Sequence, residues 1–145
     1  MIKEIKEYIK NTLQAEMNEK LPLNLRIAVE IPGSVSNYVL THPIGAYLIL
    51  YEGSEFVKRE LVNYIAQDRN MKIQVYIICR HRNEMTPEEY IDFAINSLTG
   101  AEISVNKNDN KIYCLKDEFI GEENGVWTYV ATFIVPEEFF ESKIN

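Results

Sequence analysis

Cysteine is nearly absent from this sequence, and its scarcity excludes several classes of protein. Cys79 and Cys114 are the only two in 145 residues, and both lie in apolar, strand-like surroundings without CxxC spacing. A disulfide scaffold, a zinc ribbon and a thiol-redox motif are therefore all unsupported, and the pair reads as two buried free thiols in a reducing compartment. Histidine is equally sparse. His42 precedes a proline in a turn and His81 stands between Arg80 and Arg82, so both read as solvated loop residues without the further ligands that a metal site needs. The six glycines, at positions 33, 45, 53, 100, 121 and 125, are scattered singly and form no loop able to cradle a phosphate. Positive charge is in deficit, with 15 Lys and Arg against 22 Asp and Glu and a net charge of −7. Sequence-independent binding to a phosphate backbone is thereby disfavoured. The N-terminal stretch MIKEIKEYIKNTLQ alternates charges with isolated isoleucines, which suits neither a signal peptide nor a membrane span and points to synthesis in the cytoplasm.

What remains has an ordinary globular composition, 46% hydrophobic and 26% charged, in a chain of the commonest single-domain length. One domain over residues 1–145 is expected. Ile2, Ile5, Ile9, Leu13 and Met17 recur at helical spacing among Lys and Glu, which predicts an amphipathic helix over about residues 1–18, stopped by Pro22. Leu25, Ile27, Val29 and Ile31 alternate with more polar residues, as in a half-buried strand. The apolar run over residues 46–51 predicts a central strand covered on both faces, and the alternation over 71–80 predicts another. Residues 56–66 fit a helix and a broken strand equally well and are left open. Thr86-Pro87-Glu88-Glu89 carries a capping box with proline at the first helical position, and Gly100 supplies the stop. Short strands are expected over 103–105 and 112–115 around the polar turn at 106–110, and a second central strand over 126–135, ended by Pro136. An acidic tail over 136–145, with Phe139 and Phe140, then folds back or docks on a partner. Strands that follow one another with few helices between them favour an α+β fold: an antiparallel sheet of four to five strands, with the helices packed on one face.

Reaction chemistry is hard to assemble from these residues. Ser54 lacks the Gly-x-Ser-x-Gly elbow of an exposed nucleophile and reads as a turn serine. Asp117-Glu118 and Glu122-Glu123 bracket an expected loop without the oxygen-ligand spacing of a calcium site. No catalytic residue, cofactor or metal is assigned. The alternative enzyme reading is a metal-assisted hydrolase using Glu52, Asp117 and Glu122; a second alternative is a monomeric adaptor or assembly chaperone docking through its N-terminal helix. The nine tyrosines fall often on outward strand positions, where core packing and protein contact explain them equally well. Tyr47, Tyr51, Tyr76, Trp127, Tyr129, Phe139 and Phe140 are the candidate interface residues.

Three stretches, in consistent order over about residues 40–135, resemble the small tail proteins of Mu-like contractile-tailed bacteriophages and related tailocins, grouped with the tail terminators. They are HPIGAYLILYEGS from His42 to Ser54, Gln67 and Arg69 leading into the strand over 73–80, and FIGEENGVWTY from Phe119 to Tyr129. The resemblance implies a non-enzymatic α+β virion subunit that forms a homo-oligomeric, hexameric ring on the tail tube and meets tube and head-completion proteins. It would be assembled in the bacterial cytoplasm and carried in the virion or tailocin particle. An acidic ring of this kind would let DNA pass through its lumen without specific binding.

Overall fold

The computed structural model describes residues 1–59, 65–82, 84–102 and 111–140, the last three of these by backbone alone. The N-terminal helix α1, Ile2–Lys20, buries the expected stripe of Ile5, Ile9, Leu13 and Met17. It ends before Pro22, and Arg26 donates to the carbonyls of Leu21 (2.9 Å) and Asn18 (3.0 Å), placing a cation where the helix dipole is negative. A 3-10 turn at Leu23–Leu25 leads into the three-residue strand β1, Ala28–Glu30. Only three residues of the longer strand expected there are paired, because the alternation continues into a 3-10 turn on one side and Pro32 on the other.

The sheet is built on three strands of 15 residues each: β2 (Gly45–Arg59), β3 (Ala66–Arg80) and β5 (Val126–Phe140). Helix α2, Pro87–Leu98, follows β3, and β4, Tyr113–Glu123, precedes β5. Strand order is β1-β2-β3-β5-β4. Every pairing is antiparallel except that of β1 with β2, so the sheet is mixed but mostly antiparallel. The fold is α+β, as the element order implied.

Several boundaries differ from the sequence reading. The ambiguous segment resolves at its ends into strand, through Arg59 in β2 and from Ala66 in β3; residues 60–64 lie outside the described part. Strand β5 does not stop at Pro136 but runs on to Phe140, with Pro136 opposite Asn70. Among the described residues the β4 ladder ends at Tyr113, opposite Ile134, short of Pro136, so the proline interrupts no β4 pairing there. The loop expected between Asp117-Glu118 and Glu122-Glu123 is instead part of β4, which joins β5 through the two-residue turn Asn124-Gly125. Both turn residues have positive φ, 54° and 80°, the type I′ geometry whose twist matches a hairpin. The expected strand over 103–105 lies outside the described residues.

Both helices pack on one face of the sheet, over Tyr47, Ile49, Ile73, Val75, Ile77, Cys79, Ala131 and Phe133. On the opposite face a smaller cluster of Ala46, Leu48 and Ile78 is covered by Val35, Tyr38 and Leu40 from the loop after β1. Residues 46–49 are thus covered on both sides. The capping box of α2 is formed: Thr86 Oγ1 accepts from Glu89 N–H, and Glu89 Oε1 accepts from Thr86 N–H. Two tyrosines fix α2 to the sheet. The Tyr47 hydroxyl donates to the Tyr90 carbonyl, and the Tyr90 hydroxyl donates to the Leu25 carbonyl at 2.7 Å. Their rings meet edge to face at 6.4 Å.

Two outcomes are expected. A Cβ on Gly45 would stand 2.4 Å from Cys79 Cβ and 2.6 Å from the Ile78 carbonyl, whereas one on Gly33 meets nothing within 4 Å. Gly45→Ala therefore lowers stability in urea unfolding by about 1–3 kcal/mol, and Gly33→Ala changes it by no more than about 0.5 kcal/mol. Burial holds the Tyr47 hydroxyl well above the usual tyrosine value and pushes Tyr90 up to about 12. Their protonated forms favour the fold fully below the unfolded tyrosine value near 10, and that contribution is lost as pH rises beyond it. Melting temperature should fall above pH 10, and less steeply in Tyr47→Phe.

Candidate interaction surface

The sheet outgrows its helices. Fifteen residues of strand span roughly 50 Å, against roughly 18 Å for the twelve residues of α2, so the far ends of β2, β3 and β5 extend as an arm beyond the helical layer. A polar junction ties the arm to the body. Tyr51 and Ser54 hydroxyls meet at 2.6 Å, Arg69 donates to Ser54 Oγ at 3.1 Å and to the Tyr51 oxygen at 3.3 Å, and its guanidinium lies 5.4 Å from the Phe56 ring centroid. The Ser54 hydrogen bond, followed by Arg69, lowers the pKa of Tyr51. Ser54 is a strand residue, paired with Met71 just past the β2 bulge where Gly53 has φ 150°, and not in the turn expected there.

Among the described residues, β2 beyond Leu48 has no β1 neighbour, and on the opposite side of the sheet β4 is the outer strand. These two open edges carry Phe56 and Val57, and Tyr113, Leu115, Phe119 and Ile120, each between 46% and 56% exposed. They make up six of the ten exposed large hydrophobics among the described residues. Leu115 and Ile120 are the extra residues at two register shifts in β4. A bulge normally blunts an edge against pairing. Here it carries an apolar side chain outward at both places.

On the helix-facing side, Phe119 stacks on Trp127 (5.6 Å) and Tyr129 (5.1 Å), and Trp127 continues to His81 (6.2 Å). The Tyr129 hydroxyl is 2.9 Å from Glu88 Oε1. On the other face, Val35, Val39, Leu40, Ile78, Ile120 and Val126 line a cleft of about 570 Å³ with Arg80, Glu122 and Glu123 at its rim.

The sequence-derived interface residues fare unequally. Trp127 and Tyr129 belong to the aromatic row, Tyr51 to the arm junction, and Tyr76 is half-buried on the face without helices. Tyr47 is a correction: it is fully buried beneath α2 and offers no surface. Phe139 and Phe140 fall in β5 opposite Gln67 and Ala66, and their side chains lie outside the described part. Sequence reading missed Leu115, Phe119 and Ile120 as surface residues. Leu115 falls in the strand expected over 112–115, and Phe119 and Ile120 fall in the loop expected between Asp117-Glu118 and Glu122-Glu123, so only the acidic setting of these apolar residues could have marked them. Glu52, Asp117 and Glu122 do not converge either: β3 and β5 separate β2 from β4, about 14 Å at ordinary strand spacing. Among the described residues no group of acidic, His or Cys side chains could hold a metal ion, and no helix is long and apolar enough to cross a membrane.

A family model described as Gp37 protein matches residues 13–143, nearly the whole chain. The chain belongs to the Gp37 protein family. No curated protein matches it. Among solved structures, the fold is similar to that of a chain in the virion of a native gene transfer agent particle, with a TM-score of 0.51 at 12% identity. The likeness covers 90% of this chain and 94% of that one.

Phe119→Ala should expose Trp127, the single tryptophan, on one side. Its emission is expected to shift to the red while the thermal transition stays cooperative; an unchanged spectrum would contradict the packing described.

Proposed function

We propose that this Gp37-family chain is a structural component of a phage-type particle, acting as a tail terminator or completion protein that forms a ring at the end of the tail tube. The observation carrying the virion setting is the fold likeness to a chain of a gene transfer agent virion across nine-tenths of the sequence. The family match and the motif resemblance over residues 40–135 agree with it. Self-association is favoured by the two open, apolar edges, since a ring requires each subunit to present two different complementary surfaces. In this reading the chain contributes shape and surface, with no reaction of its own. A net charge of −7 per subunit repels a DNA backbone passing through the ring.

The adaptor alternative loses its docking element, because the apolar stripe of α1 is already buried: Ile5, Ile9, Leu13 and Met17 are at most 2% exposed. The hydrolase alternative loses its carboxylate cluster for the reason of strand order given above.

Sedimentation velocity over a range of concentrations, with and without tail tube protein, tests the ring. A closed oligomer that caps tube growth is expected. A monomer at every concentration, with tube length unaffected, would sink the proposal.

A further inference from the structure

The ring reading leaves open which surfaces meet, and the inference that follows rests on it. Strand direction alternates across β2, β3, β5 and β4, so the two open edges run in opposite senses. A second copy set beside the first in the same sense therefore meets it with antiparallel edges, the hydrogen-bonding arrangement that two neighbouring strands pair in most readily. Side-chain faces add a constraint. Phe56 is opposite Arg69, and Lys58 opposite Gln67, on the helix-facing side of β2; Phe119 is opposite Tyr129, and Asp117 opposite Ala131, on the same side of β4. Each edge thus shows one aromatic and one charged residue two positions apart, on the face that would remain continuous from copy to copy.

We infer that β4 of one copy pairs antiparallel with residues 53–59 of the next, setting Phe119 against Phe56 and Asp117 against Lys58. All four side chains are exposed in the single chain. The contact extends the aromatic row: Trp127 and Tyr129, then Phe119, then Phe56 of the second copy lying under its own Arg69. The apolar bulges have a use here, because Leu115 and Ile120 lie outside the regular ladder and cover the joint. The occupant is a second copy because the two edges complement each other in direction, face, aromatic placement and charge. Phe119 is level with Tyr47 across the sheet, eight rungs from Phe56 once the β2 bulge is allowed for, so each neighbour steps about 27 Å along the strands for about 19 Å across the four strands β2, β3, β5 and β4. This corresponds to a tilt of roughly 55°, steeper than the 35–45° at which sheets close into barrels.

The experiment is charge reversal on the full chain. Lys58→Asp and Asp117→Lys each place like charges face to face, and each is expected to weaken self-association at least about tenfold by sedimentation. The double variant should return to within about threefold of the unaltered chain, with circular dichroism and melting temperature unchanged throughout. If the unaltered chain assembles and both single variants assemble equally well, or if the double variant loses the sum of both effects, the edge pairing is wrong and the ring stands on other surfaces. If the unaltered chain never assembles, the ring reading and this inference fall together. Should Lys58→Asp fail to fold, Lys58→Gln with Asp117→Asn gives the same comparison without reversal, each expected to weaken assembly by a smaller factor.

Discussion

The unbroken pairing of β3 with both its neighbours is the constraint from which the other features follow. Its 15 residues are matched along nearly their whole length by β2 on one side and β5 on the other. Three strands of that length cannot be covered by a helix of 12 residues and one of 19, so part of the sheet must lie outside the helical layer. β1 and β4 are both shorter than the strands they flank. The molecule is therefore left with backbone and apolar side chains at two edges, a liability in a monomer and a resource in an assembly.

The helical face shows the opposite economy. There the core stripes of α1 and α2 are almost fully buried, and α2 is tied down by the Tyr47 and Tyr90 hydrogen bonds and the Thr86 capping box. Arg26 closes the end of α1. A rigid body of this kind holds the edges in fixed relation, which a closed ring needs, because small angular errors accumulate around a circle.

Much of this was legible in the sequence where one periodicity ruled. The stripe of α1, the covered run over residues 46–49 and the capping box before α2 each rest on local patterns whose physical causes lie within a few residues. What escaped depended on partners far along the chain. The stretch between Asp117-Glu118 and Glu122-Glu123 looks like an acidic loop, and only pairing with β5 makes it a strand. Pro136 looks like a terminator, and only the end of β4 makes it tolerable. Tyr47 looks like an outward aromatic, and only α2 settles above it to bury it. For the same reason the aromatic row was half legible: Trp127 and Tyr129 are singled out by residue type, while Phe119, their partner across the ladder, is not.

Amide hydrogen exchange, comparing dilute chain with assembled chain, tests most directly whether assembly runs through the sheet edges. The account predicts new protection over residues 53–59 and 113–123, with the amides of α1 and α2 unchanged. New protection confined to the helices, with both edges still exchanging freely, would contradict it.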